Sequence, residues 1–549
     1  MNFIANESAQ KLRGGFYTDR DIADFLATWA LEGRPRSILE PSCGDGAFLE
    51  SLAGRGDGDK RTIVGWELDP AEAAKAVDRT RNSGAQVDIR NGDFLKWFLF
   101  EGAGAPVFDA VVGNPPFIRY QYLNPQQQEM AERIFARARL PFTRHTNAWV
   151  PFVLASLALL APGGRLGMVI PSEILHIRHA QPLRDYLVGQ CSRIIILDPE
   201  ELWFQEALQG IVLLLAEKKT DPAAAGSGVS VQSVPHRRSL ESGVARFRSA
   251  AQFIPPEELD GKWMPALLSA PERALVRALT VDGRFARFQQ LAEVDVGIVT
   301  GANDFFVVSD EVVKAFELEP WAHPMFGRSE HVAGLIYRPD DHARNRQAGL
   351  PANFLWFDAA EMSAFPAVVQ KYLQAGVEQQ LPGRYKCRVR DPWFRVPSVY
   401  KTEVAMLKRA HHCPRLILNA SGAYTTDTAY RIKANGTDAV TLVYSFFNSL
   451  TCLTAELEGR HYGGGVLELV PSEIERLLVP LRSASERELQ EVDRQFRAST
   501  DVGQLLRSQD RIILRAAGLT LADTAVVHQA WERLRRRRQR HSSANGMAE

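Results

Sequence analysis

Four times within the first 117 residues, a short run of β-forming residues ends at a polar side chain and gives way to a turn or to helical spacing. The runs are Arg36 to Glu40, Thr62 to Leu68 with Glu67 near its end, Val87 to Arg90 closing in Asn91-Gly92-Asp93-Phe94, and Phe108 to Val112. Helical spacing precedes the first of them, where Ile22, Ala23, Phe25, Leu26, Trp29 and Ala30 recur on one face behind Thr18-Asp19. It returns after the second, where Asp69-Pro70 supplies an N-cap and an N1 proline to Ala71 to Arg81. A helix at about 147–161, a strand from Arg165 to Ile170 and strands at Ile194 to Leu197 and Gly210 to Ala216 continue the pattern. Alternation of this kind predicts a doubly wound, Rossmann-like α/β sheet. Ligands of such sheets lie at the carboxyl ends of the strands, near the point where strand order reverses. One acid there is ordinary turn chemistry. Glu40, Glu67 and Asp93 after three successive strands form a constellation.

The fourth strand ends differently, at Gly113 followed by Asn114-Pro115-Pro116-Phe117. Two prolines fix φ and carry no N–H, so this stretch continues neither a helix nor a ladder. It forms a stiff wall with the Asn114 amide and the Pro115 carbonyl as acceptors and the Phe117 ring beside them. Two acceptors next to a flat apolar face suit an exocyclic amine on a planar base. The competing reading is a plain turn after a core strand.

A dinucleotide site is the obvious rival, because Gly44-Asp45-Gly46 is followed about 20 residues later by Glu67, as that fingerprint requires. The third glycine is missing, however, and Leu49 stands in its place. A ligand without a pyrophosphate fits better. Glu67 is suited to ribose hydroxyls, Asp93 to an adenine amino group, and the open turn at Gly44 to an amino-acid tail. Together these groups describe S-adenosylmethionine.

The totals bound the rest. At 549 residues with 45% hydrophobic content the chain has room for several cores. Lys+Arg and Asp+Glu both number 65, so a polyanion must be met by a local groove, not by net charge. The five cysteines, at 43, 191, 387, 413 and 452, form no Cys-x-x-Cys pair and are expected as reduced thiols of a cytoplasmic protein without a structural metal. The longest apolar run, Trp149 to Pro162, is short of the roughly 20 residues a bilayer requires, so a buried helix in a soluble chain is expected.

The order Gly15-Phe16-Tyr17-Thr18, Leu39 to Phe48, Gly65-Trp66-Glu67-Leu68-Asp69, Gly92-Asp93-Phe94 and Gly113 to Phe117 resembles the γ-class adenine-specific DNA methyltransferases, TaqI-like in layout. The likeness continues through Pro162-Gly163-Gly164 and Glu201-Leu202-Trp203-Phe204-Gln205. It implies that Thr18, Glu40, Ser42, Gly44, Glu67, Leu68, Asp93, Phe94, Asn114 and Pro116 line the S-adenosylmethionine site. It implies further that Asn114, Pro115, Pro116 and Phe117 form the catalytic stretch, in which Asn114 and Pro115 hold the target amine and Phe117 stacks on a flipped adenine, and that Trp203 or Phe204 closes its other side. Phe117 stands where Tyr is commoner in the family.

Beyond residue 250 the resemblance extends, more weakly, to a target-recognition domain through Val296 to Phe306, Tyr385 to Trp393, Phe446 to Leu450 and Gly463 to Leu469. Arg384, Lys386, Arg388 and Arg390 alternate and are expected on one side of a strand, either with Arg388 and Arg390 on DNA phosphates or as a solvated edge strand kept charged against aggregation. The expected division is 1–220 catalytic, 221–250 a linker or loose excursion, 251–530 mixed α+β for DNA recognition, and 531–549 a basic, disordered tail. The implied reaction is methyl transfer to the 6-amino group of adenine in double-stranded DNA, by a monomer, with a separate restriction endonuclease on the same site. Alternatives are cytosine in DNA, adenine in RNA, a protein glutamine, or a DNA-binding module without catalysis.

Overall fold

The computed structural model describes residues 17–55, 61–102, 108–204, 210–499 and 501–539. Gly15, Phe16, Gln205 and everything beyond Gln539 lie outside the described residues. The chain divides into two compact units, one built mainly from Met1–Ser269 and the other from Ala270–His461 and Gly465–Gln539.

The first unit is organised by an eight-stranded sheet: β1 (Ser37–Glu40), β2 (Thr62–Glu67), β3 (Gln86–Asn91), β4 (Phe108–Gly113), β5 (Leu160–Pro171), β6 (Cys191–Pro199), β7 (Ile211–Lys218) and β8 (Val229–Val234). Their spatial order is β3-β2-β1-β4-β5-β7-β6-β8. The first five run parallel, and β7 is antiparallel to both its neighbours. Strand order therefore reverses between β1 and β4. These strands read as continuous apolar runs because helices cover both faces of a parallel sheet. Helix α1 (Arg20–Leu31) buries Ile22, Leu26 and Trp29, and the Trp29 indole donates to the Leu166 carbonyl at 2.9 Å. The Asp109 carboxylate on β4 accepts from the backbone N–H of Arg36 and Ser37 at 2.8 and 3.0 Å, latching the start of β1 to its neighbour. Helix α2 (Ala47–Ala53) follows β1 and α3 (Pro70–Thr80) follows β2, the latter capped by Asp69. Helix α4 (Phe94–Phe100) is capped by Asp93, α5 spans Pro125–Arg137, and α6 (Trp149–Leu159) is buried nearly all round, which explains why Ser156 is its one polar residue.

Segment 221–250 is not a loose linker. It contributes β8, parallel to β6, and the helix Val244–Ala250, whose Val244 and Phe247 join the core of this unit. The Gly- and Ser-rich approach to β8 hides a strand only six residues long. Arg237 in the same segment pairs with Asp19 and, at 2.7 Å, with Asp21, tying it to the amino end of α1.

The second unit is mixed α+β. A five-stranded sheet runs in the order Ala292–Val296, Ala429–Ala434, Val404–Leu407, Leu416–Asn419 and Ile336–Tyr337. An aromatic cluster containing Phe305, Phe306, Phe357, Tyr372 and Phe394 forms a separate core. Helices Glu486–Ala498, Val502–Ala516 and Leu521–Gln539 close the unit. The arginine run expected as a free tail is, through residue 539, the last turns of that final helix. Arg538 is fully buried against the equally buried Glu456, 2.7 Å away, and also donates to the carbonyls of Gly465 and, at 2.8 Å, His411. Burial alone raises the Glu456 carboxyl; the Arg538 guanidinium and His461 outweigh it and hold it down at about 2. Arg538→Ala strands a buried carboxylate and should cost about 3–5 kcal/mol. Arg536→Ala, at a side chain 72% exposed, should stay within about 0.5 kcal/mol in urea denaturation of the full chain.

Candidate active site

The site forms where β1 and β4 part. At the end of β1, Glu40 is 1% exposed, and among the described residues its Oε2 has no hydrogen-bond partner. Burial pushes its carboxyl well above the usual range, Glu67 and Asp45 push it further, and a hydrogen bond from the Leu49 backbone opposes them. The turn that follows is built on two left-handed glycines. Gly44 (φ +51°) faces open space, whereas a Cβ on Gly46 (φ +88°) would lie 2.9 Å from Ala76 of α3. Leu49, which occupies the missing third-glycine position, is accommodated from across the sheet: a Cβ on Gly65 of β2 would lie 2.9 Å from its Cδ1.

Glu67 ends β2 and clasps this turn. Its two carboxylate oxygens accept from the Gly44 and Asp69 backbone N–H groups, each at 2.8 Å. Asn91 donates to the Glu67 and Leu68 carbonyls at 2.9 and 3.2 Å, which draws the end of β3 to the end of β2. Leu68, 66% exposed, is an apolar face at this rim. Asp93 caps α4 through the Lys96 N–H at 3.1 Å. Phe94 is buried and stacks on Phe152, so it supports the site from beneath.

At the end of β4, the Asn114 carbonyl accepts from Ser42 Oγ at 3.3 Å, and its amide nitrogen donates to Thr18 Oγ1 at 3.2 Å. The second bond fixes the rotation of the amide, with nitrogen toward Thr18 and oxygen at the opposite end. Glu40 lies directly alongside, since a Cβ on Gly113 would sit 3.8 Å from its Cγ. Thr18, Glu40, Ser42, Gly44, Glu67 and Asn114 are thus one contiguous group. Phe117 packs against the hydrophobic cluster that contains Trp203 and Phe204, both buried at 5% and 7% exposure. Pro115 is buried and Pro116 half-buried between them.

Two residues that hold this wall carry no signature in the sequence. Asn147 accepts from the Tyr120 N–H at 3.0 Å and donates to the buried Glu173 at 2.7 Å, and the Ala148 N–H bonds the Ile118 carbonyl at 2.9 Å. They clamp the chain immediately after Phe117 from a loop about 30 residues away. Nothing in the spacing of an isolated Asn and Glu announces such a clamp.

In the second unit, Arg384 to Arg390 form a tight turn and not a strand, and Arg390 is parted from the other three basic residues. Arg390 is half-buried and donates to the Thr300 and Val299 carbonyls at 2.8 and 2.6 Å, which takes it out of the phosphate-contact set. Arg388 is exposed.

The sheet order with its crevice at β1/β4, the acids at three strand ends and the polar wall after β4 are those of an S-adenosylmethionine-dependent methyltransferase. The donor set fits that cofactor. A carboxyl raised chiefly by burial and further by Glu67 and Asp45, with one oxygen unpartnered among the described residues, is stabilised in its charged form by a cationic ligand, and S-adenosylmethionine carries a sulfonium and an ammonium. Residues 1–239 match the family model "N-6 DNA Methylase", and residues 260–514 match "Type II methyltransferase M.Eco57I, C-terminal domain". The chain thus combines an N-6 DNA methylase domain with a Type II methyltransferase C-terminal domain. It is 24% identical over 473 residues to the Type II methyltransferase M.XamI of Xanthomonas campestris pv. amaranthicola, covering 85% of each chain. To M.AccI of Acinetobacter calcoaceticus it is 22% identical over 390 residues, covering 69% of this chain and 68% of that one. The solved structure of the Type IIL restriction-modification enzyme MmeI in complex with DNA shares the fold, with a TM-score of 0.54 at 12% identity over 94% of this chain and 75% of that chain. Among the described residues no helix is long and apolar enough to cross a membrane.

The raised Glu40 carboxyl has a pH consequence. The folded protein holds a proton that the unfolded chain releases, so this contribution to stability is full below the ordinary glutamate pKa of about 4.3 and is lost as pH rises through the folded value. Glu40→Gln should therefore raise the melting temperature of the cofactor-free protein more at pH 8 than at pH 5. It should also weaken S-adenosylmethionine binding by about tenfold or more in calorimetry, some 1.4 kcal/mol. A pH-independent difference in melting temperature contradicts the assignment.

Proposed function

We propose that this chain transfers a methyl group from S-adenosylmethionine to the 6-amino group of a specific adenine in duplex DNA, with catalysis in the first unit and target recognition in the second. The observation that carries the reading is the junction of Asn114 with Thr18 and Ser42 beside the buried Glu40. It sets an amine-accepting wall against a pocket for a cationic methyl donor. When bound, S-adenosylmethionine supplies an electrophilic methyl group. Glu40 would face its positive charge, Glu67 its ribose, and Asp93 with Leu68 its adenine.

The amine of a paired adenine is inaccessible in the duplex, so the base must leave the stack at a cost of a few kcal/mol. Stacking on Phe117, with Trp203 or Phe204 on the opposite side, offsets this by about 1–3 kcal/mol per base. The Asn114 side-chain oxygen and the Pro115 carbonyl then accept the two N–H bonds of the amine. This draws the nitrogen toward tetrahedral geometry and frees its lone pair. Thr18 holds the amide in the needed rotation, and the prolines keep the two acceptors rigid, so positioning and electrostatics supply the catalysis.

The motif order, with the cofactor turn ahead of Asn-Pro-Pro-Phe, supports the γ-class arrangement. The Type II methyltransferases among its relatives support a separate endonuclease acting at the same site. Work on the cell's DNA by a monomer in the cytoplasm completes the proposal.

Asn114→Ala should lower turnover by about a hundredfold or more, by analogy with the loss of one positioned hydrogen-bonding group. Affinity for S-adenosylmethionine should change little. Mass spectrometry of digested DNA after incubation measures both the rate and the product. Near-normal turnover in the variant, or methylcytosine as the sole product of the wild type, overturns the reading.

A further inference from the structure

The turn at residues 384–390 sorts its side chains into two sets. The Cys387 and Arg388 N–H groups both donate to the Arg384 carbonyl at 2.9 Å, and Arg390 N–H donates to the Cys387 carbonyl at 3.1 Å. This winding turns Cys387 and Arg390 inward. Cys387 is buried with its Sγ 3.9 Å from the Thr300 carbonyl, and Arg390 grips the Thr300 and Val299 carbonyls. The approach is so close that a Cβ on Gly301 (φ +77°) would lie 2.8 Å from Lys386 Cβ and 3.2 Å from Cys387 Sγ. Just downstream, Trp393 packs on Phe305 and Phe306 with ring centroids 5.5 and 6.2 Å apart. The turn is fastened to Val299–Gly301 through Lys386, Cys387 and Arg390, and the chain after it to Phe305 and Phe306 through Trp393.

The other set faces solvent. Arg384, Lys386 and Arg388 are exposed, as are Tyr385 and Val389 at 67% and 70%. Lys386 Nζ and the Arg388 guanidinium lie 5.3 and 5.5 Å from the Tyr385 ring centroid. Among the described residues no carboxylate forms an ion pair with any of the three cations. A rigid turn that exposes three cations, two of them against an exposed ring, with no ion-paired acid among the described residues, suits a polyanion in a chain whose net charge offers none of this attraction.

We propose that this turn is a contact to the sugar–phosphate backbone of duplex DNA: Arg384, Lys386 and Arg388 neutralise phosphates, Tyr385 packs on the sugar edge, and Arg390 is the internal pin that keeps the turn in shape. The proposal rests on the DNA-methyltransferase reading above and adds to it where the duplex is held. Contacts of this kind position a duplex without reading its sequence.

The test uses the full chain with two short duplexes, one carrying the methylated site found by modified-base sequencing and one scrambled. Fluorescence anisotropy gives Kd against salt for the wild type and for K386A/R388A. Each lost phosphate contact flattens the plot of log Kd against log salt by about 0.9, so the double variant should lose about 1.8 on both duplexes alike. Its melting temperature should match that of the wild type, whereas R390A should melt at a lower temperature. An unchanged slope in K386A/R388A, a loss confined to the cognate duplex, or tighter binding of single-stranded RNA than of either duplex overturns the proposal. Product analysis keeps it separate from the transferase reading. A wild type that binds duplexes with the expected slope but makes no N6-methyladenine sinks the reaction and leaves the contact standing. A wild type that methylates while the variant keeps its slope sinks the contact alone.

Discussion

A carboxyl group buried where a parallel sheet reverses its strand order is expensive, and Glu40 is placed there with two more acids pressing on it. No basic side chain is among the groups that act on it. A purely structural acid would be expected to find a cation or several N–H donors, as Glu456 finds Arg538. Glu40 instead keeps one oxygen without a partner among the described residues. The rest of the first unit is arranged around this unmet demand. Glu67 is occupied by the turn that forms the pocket floor, Asp93 by the helix that follows it, and Asn114 by Thr18 and Ser42 on the facing side. A cationic ligand satisfies what the protein leaves open, so binding and folding draw on the same interaction.

The second unit uses its inward-facing arginines and its exposed basic residues in opposite ways. Arg538 and Arg390 spend their donors on internal partners: a carboxylate and backbone carbonyls in one case, two loop carbonyls in the other. Lys386 and Arg388 stand a few residues from Arg390, yet they face water. A count of basic residues along the chain does not separate these roles. A planar guanidinium with several fixed donors is suited to pinning backbone, and this makes an arginine-rich stretch poor evidence of a nucleic-acid contact until its partners are known.

Much of the first unit was legible from residues alone, because its strands are apolar runs closed by acids, and a parallel sheet leaves little choice in how such runs pair. The position of Asn114 beside Glu40 and Ser42 follows from β1 and β4 being neighbours. What was hidden depends on partners distant in sequence. β8 is a short strand behind Gly and Ser residues that pairs with β6, and its register is set by that neighbour. The alternating cations at 384–390 have the period of a strand, but the Arg384 carbonyl takes two N–H bonds and winds them into a turn. The end of the last helix reads as a tail in the sequence because the partner of Arg538 is 82 residues away. Asn147 and Glu173, which clamp the chain after Phe117, are individually ordinary residues.

The replacement of a glycine by Leu49 shows how the pocket chooses its ligand. In a dinucleotide site the glycine-rich turn presents free N–H groups to a pyrophosphate, and the third glycine lets helix and strand approach. Here the Gly44 N–H is already held by the Glu67 carboxylate at 2.8 Å. A pyrophosphate at that turn would meet a negative charge in place of a donor. The close approach is achieved by other means, since Gly65 on the adjacent strand yields the space that Leu49 fills. Two glycines and an acid at the expected interval are therefore shared by two ligand classes. The direction of one hydrogen bond separates them, and it points here to a ligand that carries positive charge.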